Sequence, residues 1–182
     1  MKNTVKIELP LSDAAVETLS AGTQVLLSGV IYTARDAAHK RLCELIAKGE
    51  QLPVDLNGGA LYFVGPAPAK PGAVIGSAGP TTSYRMDAYS PILMEHAGLK
   101  AMIGKGNRSK SVVDAMIRHK CVYFAATGGA AALIAKCITA CEVVCYEDLG
   151  PEAIHRLEVK DMPLLVAIDC RGRNLYENPE IQ

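Results

Sequence analysis

Gly79-Pro80-Thr81-Thr82-Ser83-Tyr84-Arg85-Met86-Asp87 follows the apolar run Ala73-Val74-Ile75-Gly76-Ser77-Ala78 and precedes a helical pattern that stops near Gly98. The apolar run reads as a buried strand, and strand, loop and helix in that order point to an α/β layer. Loops that leave the ends of buried strands are where such proteins usually keep their chemistry. This loop carries two adjacent hydroxyls, Thr81 and Thr82, with the guanidinium of Arg85 close behind. Hydroxyls orient a carboxylate or handle a proton, and an arginine grips a carboxylate through two parallel hydrogen bonds. A plain structural role fits the same residues: a threonine as helix N-cap and Arg85 as a solvated cation.

Toward the N-terminus, Gly65 to Gly72 is proline-rich and irregular, and Leu61-Tyr62-Phe63-Val64 reads as a strand. Gln24 to Tyr32, rich in branched residues, reads as another. A helix follows from Ala34 to Lys48, with Thr33 as N-cap and an apolar face of Ala38, Leu42, Leu45 and Ile46 before Gly49 stops it. Arg35 then falls in a first helical turn. A cation there opposes the macrodipole, which signals either a functional cause or a side chain reaching into water. Val5 to Leu9 alternates as a short strand, and Ser12 or Asp13 can cap one turn of helix after it.

Toward the C-terminus, Ser90-Pro91 starts a second helical piece that carries His96 in its last turn. Leu99 to Ile103 reads as a strand that ends in Gly104-Lys105-Gly106-Asn107-Arg108-Ser109. The flanking glycines leave Lys105 uncrowded, and their spacing is not that of a P-loop. Asn107 or Ser109 caps a helix reaching Lys120, with Val112, Val113, Met116 and Ile117 expected inside. Cys121 to Ala126 reads as a strand, and Thr127-Gly128-Gly129 leads into a helix from Ala130 to Ala140. That glycine pair serves either an anion or close packing. Glu142 to Tyr146 reads as a strand, Glu152 to His155 as a helical turn, and Arg156 to Val159 as an alternating stretch. Pro163 to Asp169 reads as a buried strand, and the tail from Tyr176 as loose. Strands and helices thus interleave from Thr23 to Tyr146, with extra strands at both ends, in a single α/β domain over residues 1–182. The expected sheet is central and largely parallel, with flanking helices and additional β structure.

Hydrophobic residues make up 49% of the 182 residues and charged ones 21%, a composition that can bury a core. The formal net charge is zero, so bulk electrostatics favour neither nucleic acid nor a membrane surface. The first residues lack the apolar segment of a secretory signal, and no apolar run has the length of a membrane span. With six cysteines, these features lead us to expect reduced thiols in a cytoplasm. Cys137, Cys141 and Cys145 recur every four residues, which invites a metal reading. The spacing is not that of the usual Cys-x2-Cys runs, and a change from helix to strand would turn the thiols apart. The plainer reading makes all six small buried hydrophobes.

Thr33-Ala34-Arg35-Asp36, Gly79 to Met86, Gly104 to Ser109 and Gly128-Gly129-Ala130-Ala131 occur in this order on strand–loop junctions. With them the chain resembles, over about Gly22 to Tyr176, the β subunit of class I, iron–sulfur-dependent fumarate hydratases. The tartrate dehydratase β subunit shares most of these motifs, and the continuation Asn107-Arg108-Ser109-Lys110 looks more like the fumarases. The resemblance implies a swivelling β/β/α fold and an α-subunit partner, assembled as an α2β2 heterotetramer. It also implies a [4Fe–4S] cluster carried by that partner, with no metal ligand from this chain and the open iron acting as Lewis acid. It assigns substrate binding to Arg35, Thr81, Thr82, Arg85 and Lys105, and catalysis to Thr81 and Thr82. The expected reaction is reversible hydration of fumarate to (S)-malate, with tartrate dehydration as the alternative. The chain alone is expected to be inactive. A reading of another class is a non-catalytic module that binds an anionic metabolite.

Overall fold

The computed structural model describes residues 4–126 and 131–178. Short strands and helices alternate: β1 (Val5–Glu8), α1 (Asp13–Thr18), β2 (Gln24–Thr33), α2 (Asp36–Ala47), β3 (Ala60–Tyr62), α3 (Ser90–Ala97) and β4 (Ala101–Gly104). After them come α4 (Lys110–His119), β5 (Val122–Ala125), α5 (Ala131–Cys137), β6 (Ile138–Cys145) and β7 (Ile154–Ile168). Two 3-10 turns, Ser83–Met86 and Glu147–Glu152, sit in the longer loops.

The fold is mixed α/β, with a central sheet and flanking helices. The sheet runs β1-β2-β3-β4-β5-β7-β6. Neighbours from β1 to β5 are parallel, while β7 is antiparallel to β2, β5 and β6. Because β7 pairs with both β2 and β5, the strands β2, β3, β4, β5 and β7 close into a ring. Closure removes two edges that would otherwise present unpaired backbone groups.

The two-residue period of the strands sorts the core into two layers. Ala60 and Tyr62, Ala101 and Ile103, and Val122 and Phe124 pack with Leu157, Val159 and Met162 of β7 in one. Leu61, Met102 and Tyr123 point the other way, where Phe63 also packs, against Ala38 and Leu42 of α2, Leu93 of α3 and Met116 of α4. β3, β4 and β5 are buried on both faces, which is why they read as continuous apolar runs.

Several expectations need correction. Ala73 to Ala78 forms no strand. β4 occupies the ladder beside β3, so this stretch has none to join. It is an irregular return that buries Ile75 and Ala78, with the Ala78 carbonyl accepting from the Tyr62 hydroxyl. α2 begins at Asp36, and Thr33 does not cap it. The Thr33 hydroxyl instead accepts from the His155 amide at 2.9 Å and lies 3.3 Å from the Ala153 carbonyl, fastening β2 to the start of β7. The sheet is mixed, since β7 is one fifteen-residue strand where the pattern suggests two separate stretches. α5 ends at Cys137, because Ile138 already pairs with Val159 of β7. The helical turn expected at Glu152 to His155 lies earlier, at Glu147–Glu152. Ile117 is 42% exposed. Gly128 and Gly129 lie outside the described residues. Among the described residues no helix is long and apolar enough to cross a membrane.

Candidate active site

β2, β3 and β4 are parallel neighbours, so the segments that leave their carboxyl ends share one edge of the sheet. Arg35 follows β2, Phe63 to Gly65 follow β3, and Lys105 follows β4. The Thr81–Arg85 loop is laid along this edge by backbone bonds. The Thr81 amide donates to the Phe63 carbonyl at 2.7 Å, Thr82 bridges Lys105, and the Ser83 amide donates to the Lys105 carbonyl at 2.9 Å. All five candidate residues therefore sit at one edge although they come from three separate parts of the chain.

Their surroundings differ. Arg35 is the N-cap of α2 but contributes no side-chain cap. Its guanidinium lies across Gly65, where a Cβ would come within 3.1 Å of Nη1, and reaches Glu152 at 3.4 Å through Nη2. Glu152 also accepts from the Ala37 amide at 3.1 Å. A carboxylate from the turn before β7 thus performs the capping expected of Thr33 and neutralises the misplaced cation. Arg85 donates through Nε to Asp36 at 3.0 Å and is 45% exposed. Lys105 is exposed and forms no ion pair among the described residues. The geometry offers two arginines held by carboxylates and one unpaired lysine, with two half-buried threonines on the loop between them.

Residues not singled out as site candidates in the sequence supply the support. Ser83 Oγ accepts from the Lys105 amide at 3.0 Å and lies 2.8 Å from the Tyr123 hydroxyl, which also donates to the Gly106 carbonyl at 2.9 Å. Burial holds the Tyr123 phenol well above its usual range, so it stays a neutral donor. Arg108 is fully buried between the rings of Phe63 and Tyr123, 5.3 and 5.1 Å from their centroids. It donates to Asp87 at 2.7 Å and to Ser90 Oγ at 2.8 Å, and Asp87 also accepts from the Ser109 amide at 2.7 Å. Arg108 therefore ties the Lys105 loop to the Thr81–Ser90 segment. An arginine in a polar loop shows no periodicity, so the sequence carries no signal that it turns inward.

A profile of the family described as fumarase C-terminus matches residues 1–179. The chain belongs to that family. Within it, the chain is 39% identical over 178 residues to the anaerobic class I fumarate hydratase of Escherichia coli (strain K12). That alignment covers 95% of this chain and 32% of the enzyme. It is 39% identical over 156 residues to fumarate hydratase 2 of Leishmania major, covering 85% of the chain and 28% of that protein. A Methanocaldococcus jannaschii protein provisionally named L(+)-tartrate dehydratase subunit beta is 39% identical over 172 residues, covering 92% and 88%. The chain thus spans about a third of the length of the fumarate hydratases it matches, and nearly all of the tartrate dehydratase subunit.

The cysteines of this family member are free thiols in buried or half-buried surroundings. Cys121 donates to the Leu99 carbonyl at 3.0 Å, and burial pushes its thiol up to about 12. Burial takes Cys43 up to about 11 and also raises Cys137, Cys141 and Cys145. Cys170 is buried beside the Val16 carbonyl. Among the described residues no group of three or more His, Cys, Asp or Glu is placed to hold a metal ion.

Proposed function

We propose that this chain is the β-type part of a hydro-lyase that adds or removes water on a four-carbon dicarboxylate, fumarate and malate in the first instance. The observation that carries the reading is the gathering of Arg35, Thr81, Thr82, Arg85 and Lys105 at one sheet edge. A small dianion needs cations approaching from several directions, and this edge presents three on separate segments. In the malate-to-fumarate direction a proton leaves the carbon next to a carboxylate, and negative charge builds on that carboxylate. Cations held in place beforehand lower the barrier to that charge. Arg85 and Arg35 grip the carboxylates, Lys105 lies beside the developing charge, Thr82 orients a carboxylate, and Thr81 stands at the proton-transfer position. A threonine hydroxyl is a weak base, so Thr81 depends on the neighbouring cations.

In this reading the remaining two thirds of the fumarate hydratases correspond to a partner polypeptide that carries the iron–sulfur cluster and completes the site. The domain is then a swivelling β/β/α unit within an α2β2 assembly. Tartrate is the second substrate reading, supported by the near full-length match to the tartrate dehydratase subunit. The deciding experiment mixes the purified chain anaerobically with a cluster-bearing α subunit and follows fumarate absorbance with malate, and tartrate consumption in parallel. Turnover only in the mixture is expected, and the faster substrate identifies the enzyme. Binding of a dicarboxylate without turnover in any mixture rejects catalysis in favour of a non-catalytic anion-binding module.

A further inference from the structure

Asp36 is the first residue of α2, next to Arg35, and its Oδ1 takes the Nε hydrogen of Arg85 from across the site edge. Nε is the inner nitrogen of the guanidinium. No hydrogen bond from the described residues engages either terminal nitrogen of Arg85. Those two nitrogens form the fork that pairs with a carboxylate through two parallel bonds. The second oxygen of Asp36 is buried without a hydrogen-bond partner among the described residues, and so is Nε of Arg35. An unpaired buried carboxylate oxygen is costly, and such groups collect where geometry serves function. Ser83–Met86 is a single 3-10 turn without a side-chain cap, so local structure does little to aim the Arg85 side chain. The only ion pair of Arg85 among the described residues is the one with Asp36.

We propose that Asp36 is a positioning residue: by holding Nε of Arg85 it aims the terminal fork into the site for a substrate carboxylate. This rests on the hydro-lyase reading above. The test uses the chain assembled with its α subunit and measures KM and kcat for malate in four variants: Asp36→Ala, Asp36→Asn, Arg85→Ala and the double Asp36→Ala/Arg85→Ala. Asp36→Ala is expected to raise KM about tenfold with kcat changed less than about threefold. Asp36→Asn keeps an oxygen that accepts from Nε and should recover KM to within about threefold of the parent. In the Arg85→Ala background, Asp36→Ala should cost nothing further, because its effect passes through Arg85. A helix-stabilising role for Asp36 would lower the melting temperature equally in both backgrounds and leave the KM coupling absent. The proposal is overturned if Asp36→Ala leaves KM unchanged while Arg85→Ala raises it, or if the two effects are independent. An unchanged KM in Arg85→Ala would instead bring down the substrate-binding assignment and the positioning role with it.

Discussion

The charges of this chain divide by burial, and so do their expected effects. Arg108 is enclosed by two rings and tied to Asp87 and Ser90, so removing it leaves the mostly buried Asp87 without its cation. Breaking such a buried pair costs about 3–5 kcal/mol. Arg108→Met is therefore expected to move the urea midpoint far down. Arg156→Met, which removes the half-buried partner of the exposed Glu158, should cost less than about 1 kcal/mol and move the midpoint little. Equal shifts in the two variants would refute this account of Arg108. On the hydro-lyase reading proposed above, Thr81→Ala assembled with the proposed α subunit should lose most of kcat while the absorbance of the proposed cluster is retained, and near-normal turnover would dismiss the proposed proton-transfer role.

Among the elements, the contact between β4 and the Thr81–Arg85 loop is the tightest at the site. A Cβ on Gly104 would lie 2.0 Å from Ser83 Oγ and 3.0 Å from Phe63 Cδ2. Gly104→Ala must expel the serine hydroxyl and with it the bond that Ser83 makes to the Lys105 amide. A loss of about 2–3 kcal/mol is expected. Adding Ser83→Ala, which deletes the clashing oxygen, should restore much of the melting temperature. No recovery would mean that the strand itself fails. The motifs around these elements were readable because glycine, proline and threonine mark loops. The cap of α2 was not, since Glu152 lies 115 residues from the amide it receives. Nor was the irregular path of Ala73 to Ala78, whose apolar content is that of a strand but whose neighbours already have their ladders full.

For the molecule as a whole, one buried group links stability to pH. His39 sits inside α2 against Phe63 and Tyr89, and its Nδ1 lies 2.9 Å from the Arg35 carbonyl. A carbonyl only accepts, so Nδ1 carries a proton. Nε2 is buried without a hydrogen-bond partner among the described residues. Burial pushes the pKa of His39 down to about 4 from 6.5. The unfolded chain binds a proton at this residue between those values and the folded chain does not, so stability rises with pH across that window. It is complete above about pH 6.5 and falls by on the order of 3 kcal/mol toward pH 4. Urea midpoints measured from pH 7.5 to 4.5 should follow this slope, and His39→Phe should flatten it. An unchanged slope in the variant would assign the acid sensitivity to other groups.

Most of the strands and helices, though not the irregular path of Ala73 to Ala78 or the continuity of β7, and the loops bearing Arg35, Thr81, Thr82, Arg85 and Lys105 could be read from the chain alone. Each rests on local chemistry: branched residues in runs, helical spacing, and glycine or proline where the backbone turns. Ring closure by β7, the inward turn of Arg108, the carboxylates that hold Arg35 and Arg85, and the meeting of three loops at one edge were decided only in three dimensions. They depend on pairs of residues far apart in sequence, and ion pairs and ladder registers exist only once parallel strands have brought their carboxyl ends side by side.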